Sequence, residues 1–295
     1  MGEQSRSQDD DGVHTAEYFA KFFTDKIDAV RTTTSSTPLQ DVSITATHVI
    51  NNWTSERQNR LGTCLILPSA RRANLIPNRY GLSGSTESYC RHSSLFVNES
   101  ITTGCLLAED KHAIVTPLLK KSNQDASLLK SYRPVSNLTF LSKLLEKVIK
   151  SQLQVYMDDN DAMPKHQSAY RRYHSIETAL VKVYNGLLMA TDNGQISAVC
   201  LLDLTAAFDM VDHDLLLQRL ERGFGIKGLA LSWFKSYLTS RTFCVVYAGT
   251  RSTTTTVTCS VPQRSVLGPL LFNLYTADLS ELANKHGVTR KRLRR

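Results

Sequence analysis

Leu141, Leu144, Leu145, Val148, Ile149, Leu153 and Tyr156 recur with a period of about 3.6, so they line one face of a helix. A stripe that long is stable only against a core. The chain must therefore fold at least one packed layer around residues 141–156. The surrounding text supplies candidate partners. HAIVTPLL (112–119) reads as a strand running into Lys120-Lys121. Leu180, Val183, Tyr184, Leu187 and Leu188 predict a second packed helix. ISAVCLL (196–202) is short and apolar throughout, with DNGQ before it and Asp203 after it, and predicts a strand buried on both faces.

Further on, a Leu-rich helix is expected near 214–222. An aromatic one follows near 229–238, with Trp233, Phe234 and Tyr237 read as core. FCVVY (243–247) and VTCSV (257–261) predict two strands joined by a Gly/Ser/Thr loop, and a last helix starts near Gly268. The sum is an α/β (α+β) chain with a small antiparallel sheet formed by 196–202, 243–247 and 257–261, and helices packed on it. Ahead of this, Phe19, Phe22, Phe23, Ile27 and Val30 share a helical face, and TTTSSTP (32–38) reads as a linker. Residues 51–94 show no sustained period and are expected to be irregular. The organisation is a linker-like segment 1–50 with one helix, the irregular stretch 51–94, an ordered domain 95–288 and a basic tail 289–295.

Lys and Arg outnumber Asp and Glu by 35 to 27, a net charge of +8, which favours a polyanionic partner and nucleic acid first. The six cysteines form no CxxC pair and read as reduced thiols. No apolar run approaches a membrane span, and MGEQSRSQDDDG is too polar for a signal peptide. The expectation is an intracellular protein, nuclear or cytoplasmic, with no membrane partner.

On spacing alone, Asp203 reads as a cap for the helix after its strand. Phe208 reads as a core residue, and Asp209 and Asp212 as helix-start and surface residues. Lys120-Lys121 reads as a solvated basic pair and Arg133 as half of a surface ion pair.

The wider text carries more. CLLDLTAAFDMVDH (200–213) resembles the first catalytic block of reverse transcriptases from LINE-type, non-LTR retrotransposons. SYRPVSNLTFLSKLLEKVI (131–149) and QSAYRRYHSIETAL (167–180) are similar to that family's two fingers blocks. SVPQRSVLGPLLFNLYTADL (260–279) is similar to the block that holds template and nucleotide, and FFTDKIDAVR (22–31) to the linker ahead of the polymerase. The blocks stand in the family's order over roughly residues 95–288, and the closest flavour is the CR1- or L2-like group.

The resemblance implies fingers and a partial palm, a template RNA, a DNA primer, deoxynucleoside triphosphates and Mg2+. Polymerisation of this kind uses two metal ions to clamp the attacking and leaving oxygens. Asp203 is the implied catalytic and metal-binding carboxylate, and the Leu204 backbone carbonyl supplies another oxygen. Phe208 would lie beneath the incoming sugar. Lys121, Arg133, Gln263 and Arg264 fall at nucleotide-binding places, and Arg171, Arg172, Arg290, Lys291 and Arg292 are candidate nucleic-acid contacts.

Two departures matter. Where the family has PQG, this chain has Pro262-Gln263-Arg264, so a long cation replaces a glycine that frees φ. After KHGV (285–288) the text turns to TRKRLRR, where the family continues into a YADD or FADD hairpin and a thumb. The expectation is a chain with weak or no magnesium binding and no activity. RKRLRR, five charges in six residues, reads as a solvated terminus or as a nuclear-import or nucleic-acid patch.

Overall fold

The structure is a computed structural model that describes residues 15–34, 46–53, 86–163, 168–171, 173–200 and 207–286. Its sheet is built from β1 (His112–Leu119), β2 (Tyr132–Asn137), β3 (Arg241–Tyr247), β4 (Thr250–Arg251) and β5 (Thr255–Val257). The order is β2-β1-β3-β4, with β5 also paired to β3. β1 and β2 form an antiparallel pair in which Leu118 faces Arg133 and Val115 faces Ser136. β1 and β3 run parallel, Ile114 beside Cys244, although they lie far apart in the chain. The sheet is therefore mixed, where a purely antiparallel one was expected.

Helix α1 (Ala16–Thr34) lies on one face of this sheet. Its Ala16, Phe19, Ala20 and Phe23 are buried with Val115, Tyr132 and Val245. Phe19 packs edge-on to Tyr132 at 4.8 Å between centroids and meets Tyr247 at 4.7 Å. Aromatic pairs at this spacing add to the area they bury.

The larger core is helical. It joins α2 (Thr86–Thr103), α3 (Phe140–Asp159), α5 (His213–Gln218), α6 (Gly228–Leu238) and α7 (Gly268–Tyr275). α4 (Ile176–Asp192) lies between α3 and α5 in sequence, and α8 (Asp278–Lys285) follows α7. Most of the expected stripe on α3 is buried, with Leu145, Val148, Ile149 and Leu153 fully covered, while Leu141 and Tyr156 at its ends are half-buried. Thr139 caps this helix, its side chain accepting from the Ser142 N–H. Trp233, Phe234 and Tyr237 on α6 are fully buried, as core residues should be. α5 runs directly into a π-helical turn, Arg219–Gly223, before Phe224 closes it.

Four sequence expectations need correction. Residues 196–200 form no strand, and Ile196 is fully exposed; 201 and 202 lie outside the described residues. An apolar run becomes a strand only where a partner ladder is open to it. Here β3 has one edge taken by β1 and the other by β4 and β5. The strand expected over 257–261 is Thr255–Val257. Ser260 and Val261 leave the sheet because their N–H groups bond instead to the carbonyls of Val211 and Phe208. Residues 86–94, within the stretch read as irregular, belong to helix α2. Finally, α4 is a helix as expected, but its stripe is not packed: Leu180, Tyr184 and Leu188 are exposed and Ala179 is its one buried residue among those described.

Candidate functional site

The two blocks that the sequence singles out near 207–213 and 260–268 come together side by side. The turn over 207–210 and the chain leaving β5 are joined by Ser260 N–H to Val211 O at 2.8 Å and Val261 N–H to Phe208 O at 2.9 Å. His213 Nε2 adds a bond to the Ser260 carbonyl at 2.7 Å, so that nitrogen carries the proton. Burial pushes the His213 pKa down, against the charged ring. Asp212 caps α5 by accepting from the Leu215 N–H at 2.9 Å, the helix-start role read from the sequence.

Phe208 is half-buried, and its ring meets Phe272 of α7 at 5.3 Å. Asp209 corrects the reading of a surface residue, because it is buried. Its Oδ1 accepts from Gln263 Nε2 at 2.8 Å, and its Oδ2 faces Lys26 Nζ of α1 at 3.5 Å. A buried carboxylate is tolerable when a donor and a cation satisfy it. Asp209, Pro262 and Gln263 line a cleft of about 80 Å³ between α1 and the sheet, together with Ile27, Val115 and Ser136.

The 262–265 segment explains the family's glycine. Ser265 N–H bonds to Pro262 O at 3.1 Å, closing a four-residue turn with Gln263 and Arg264 at its centre. Arg264 has φ +66° while Gln263 does not enter the positive region, the sign pattern of a type II turn. Glycine is the usual residue at that position, since a Cβ costs roughly 1–2 kcal/mol there. Arg264 accepts this conformation and points an exposed side chain outward.

From the other side Glu146 of α3 anchors the same loop. Its Oε2 accepts from Val266 N–H at 2.5 Å and Leu267 N–H at 3.3 Å, and its Oε1 accepts from Tyr237 O–H at 2.9 Å. Burial holds the Glu146 carboxyl above its ordinary range and pushes the Tyr237 phenol well up. Arg241 donates to Tyr237 O at 2.9 Å and lies over the Tyr237 ring at 4.9 Å.

The other expected residues are less concentrated. Lys121 lies exposed just past β1. Arg133 is exposed on β2 and, by register, shares its sheet face with Leu118 and Thr116, opposite the face that carries Val115 and Ser136. The structure does not bring it to the cleft. Arg171 is half-buried, near Ala169, whose carbonyl accepts from Asn273 of α7 at 3.0 Å. Asp203, Leu204, Arg172, Arg290, Lys291 and Arg292 lie outside the described residues. Among the described residues no three Asp, Glu, His or Cys side chains converge as a metal ion would require, and Asp209 is already engaged. No helix among them is long and apolar enough to cross a membrane.

Sequence reasoning missed Lys26 and Glu146. Both had a signal: each is a charge set inside an apolar stripe, Lys26 beside Phe22 and Phe23, Glu146 beside Leu145 and Ile149.

Comparison with known proteins supports the resemblance to reverse transcriptases of non-LTR elements. The probable RNA-directed DNA polymerase from transposon BS of Drosophila melanogaster is 34% identical over 162 residues, 55% of this chain and 18% of that protein. The RNA-directed DNA polymerase from mobile element jockey of Drosophila funebris is 32% identical over 195 residues, 66% of this chain and 21% of its own length. A probable RNA-directed DNA polymerase from transposon X-element of Drosophila melanogaster is 35% identical over 151 residues, 51% of this chain and 16% of its own. The chain thus spans 16–21% of the length of these relatives. Residues 118–290 match the family model for reverse transcriptase (RNA-dependent DNA polymerase), more than half of the chain, and the chain belongs to that family.

Proposed function

We propose that these residues are the fingers and the front of the palm of an RNA-directed DNA polymerase of a non-LTR retrotransposon, of the CR1- or L2-like flavour. The substrates would be an RNA template, a DNA primer and deoxynucleoside triphosphates. The observation that carries the reading is the junction of the 207–213 turn with the Pro262-Gln263-Arg264 turn through Asp209 and Gln263. It unites two of the blocks that resemble the family's, as a nucleotide site would require. In this reading Asp203 and the Leu204 carbonyl would hold Mg2+, weakly or not at all in these residues alone, and the ion would supply charge neutralisation at the transferring phosphoryl group. Phe208 lies under the sugar, Gln263 and Arg264 border the nucleotide, and Lys121 meets the triphosphate; Arg133, which lies on the sheet face away from the cleft, would reach a phosphate only outside it.

The 295 residues taken alone should not incorporate nucleotides. Two-metal chemistry wants carboxylates converging from separate segments, and Asp203 offers one. Primer extension on a homopolymer template tests this. No extension is expected, and Arg264→Gly should rescue none. Templated extension that Asp203→Ala abolishes would overturn the inactive reading and support a complete site.

The +8 charge favours a second reading, a non-catalytic nucleic-acid binder. A salt titration of RNA binding separates it from an inert remnant. Each phosphate neutralised adds about 0.7 to the slope of log affinity against log salt on single strands. Deleting Arg290–Arg295 should flatten that slope and weaken all sequences alike.

A further inference from the structure

We propose that Asp209 and Lys26 are positioning residues that fix the side-chain amide of Gln263, so that helix α1, ahead of the family-matched residues, belongs to the nucleotide site. The inference rests on the reading of Gln263 as a nucleotide contact. It is carried by three observations.

First, a carboxylate only accepts hydrogen bonds, so the 2.8 Å contact to Asp209 Oδ1 commits Gln263 Nε2 and sets which end of the amide is which. Oε1 and the second Nε2–H are then the amide groups left, in a fixed orientation, to meet a ligand. Second, Asp209 is buried, and Lys26 is the cation the structure sets against it, 3.5 Å away. A hydrogen bond accepted by a carboxylate is stronger than one accepted by a neutral group. Third, α1 cannot drift from this position at small cost. Phe19 and Phe23 are buried in the sheet face, Glu17 accepts from Thr253 N–H at 2.9 Å and Thr253 Oγ1 at 2.7 Å, and Arg31 donates to Thr258 Oγ1 at 2.9 Å. The Lys26 ammonium is thus delivered to Asp209 by a helix anchored at both ends. The order of action is α1, Lys26, Asp209, Gln263 and then ligand, and the cleft between α1 and the sheet is where Asp209 and Gln263 are both lining residues.

The test follows the Gln263 side-chain amide by 15N NMR in the full chain, assigned by its loss in Gln263→Ala, while dATP and Mg2+ are titrated in. In the wild type the amide protons should be well separated and slow to exchange, and they should move on dATP addition. Asp209→Ala should collapse the separation and raise the dATP concentration for half-saturation about tenfold. Asp209→Asn keeps an acceptor and should recover most of that loss. Lys26→Met, at a half-exposed position, should raise the concentration about threefold.

An Asp209 that is merely structural would lower the thermal midpoint and leave the dATP response of the folded protein unchanged. That result overturns the proposal, as does an amide signal indifferent to Asp209→Asn and Lys26→Met together. A wild type whose Gln263 amide responds to Asp209 substitution but never to dATP would sink the nucleotide reading itself, and this inference with it.

Discussion

Helices α3 and α4 carry the same kind of apolar stripe and meet opposite fates. On α3 Leu144, Leu145, Val148, Ile149 and Leu153 are buried, and the stripe even carries a charge, Glu146, that finds three donors. On α4 Leu180 is 51% and Tyr184 64% exposed, and Ser175 and Thr178 hold the first turn by a capping box. Periodicity says that a face is apolar. It does not say that a partner is present among the residues at hand. α3 lies between α2, α6 and the 262–267 loop; α4 has no such neighbours among the described residues.

The sharpest way to break the comparison is to delete volume in the buried stripe. Leu145→Ala should destabilise the protein by about 3 kcal/mol, because a covered leucine loses its transfer energy and leaves a cavity. Urea unfolding with an unchanged m-value would read it. A cost below about 1 kcal/mol would mean that α3 is no better packed than α4.

Glu146 comes next. Glu146→Ala should cost about 2–3 kcal/mol by stranding the N–H groups of Val266 and Leu267 and the Tyr237 hydroxyl. Glu146→Gln gives a pH signature. Burial raises the folded-state pKa above the unfolded one. Stability from this group is therefore fully present below the unfolded value, and it is lost as pH rises through the raised folded value. A glutamine side chain does not titrate, so the penalty of Glu146→Gln should be largest on the acid side of the ordinary glutamate range and shrink as pH rises. Thermal midpoints of both proteins across that window would show it, and parallel curves would refute it.

How much of this was legible in the sequence depends on whether a residue's partner lies nearby in the chain. Helices α1, α3, α6 and α7 and strand β1 were readable, since each carries its own local period or start signal. The β1–β3 parallel pair was not, because nothing local joins His112 to Thr242. The run at 196–200 misled for the same reason: its composition states a need for burial and names no partner. At the site, the motif resemblance drew attention to Phe208 and Gln263, while the Asp209–Gln263 bond and Lys26 emerged only when segments 54 and 183 residues apart met.

Arg264→Gly should have a smaller effect of opposite sign. The φ of +66° costs an arginine roughly 1–2 kcal/mol, and glycine gives back about half of that in unfolded-chain entropy. A net stabilisation of about 0.5–1 kcal/mol is expected, seen as a raised thermal midpoint. A loss of stability would mean that the Arg264 side chain holds the loop by a contact outweighing its backbone strain.

The smallest expected effect lies on α4 itself. Leu180→Ser removes a side chain that is already half in water, so little apolar area changes sides on folding. Stability should move by less than about 0.5 kcal/mol, the usual range for an exposed position. The helix should persist, because the Ser175–Thr178 box, and not the stripe, satisfies its first N–H groups. Ser175→Ala, by contrast, should cost about 1 kcal/mol by removing that cap, although it deletes a single oxygen. Circular dichroism and urea midpoints on the two variants decide the matter. If Leu180→Ser proved the costlier of the two, the α4 stripe would be covered in solution, and the contrast with α3 would be one of partner identity instead of partner presence.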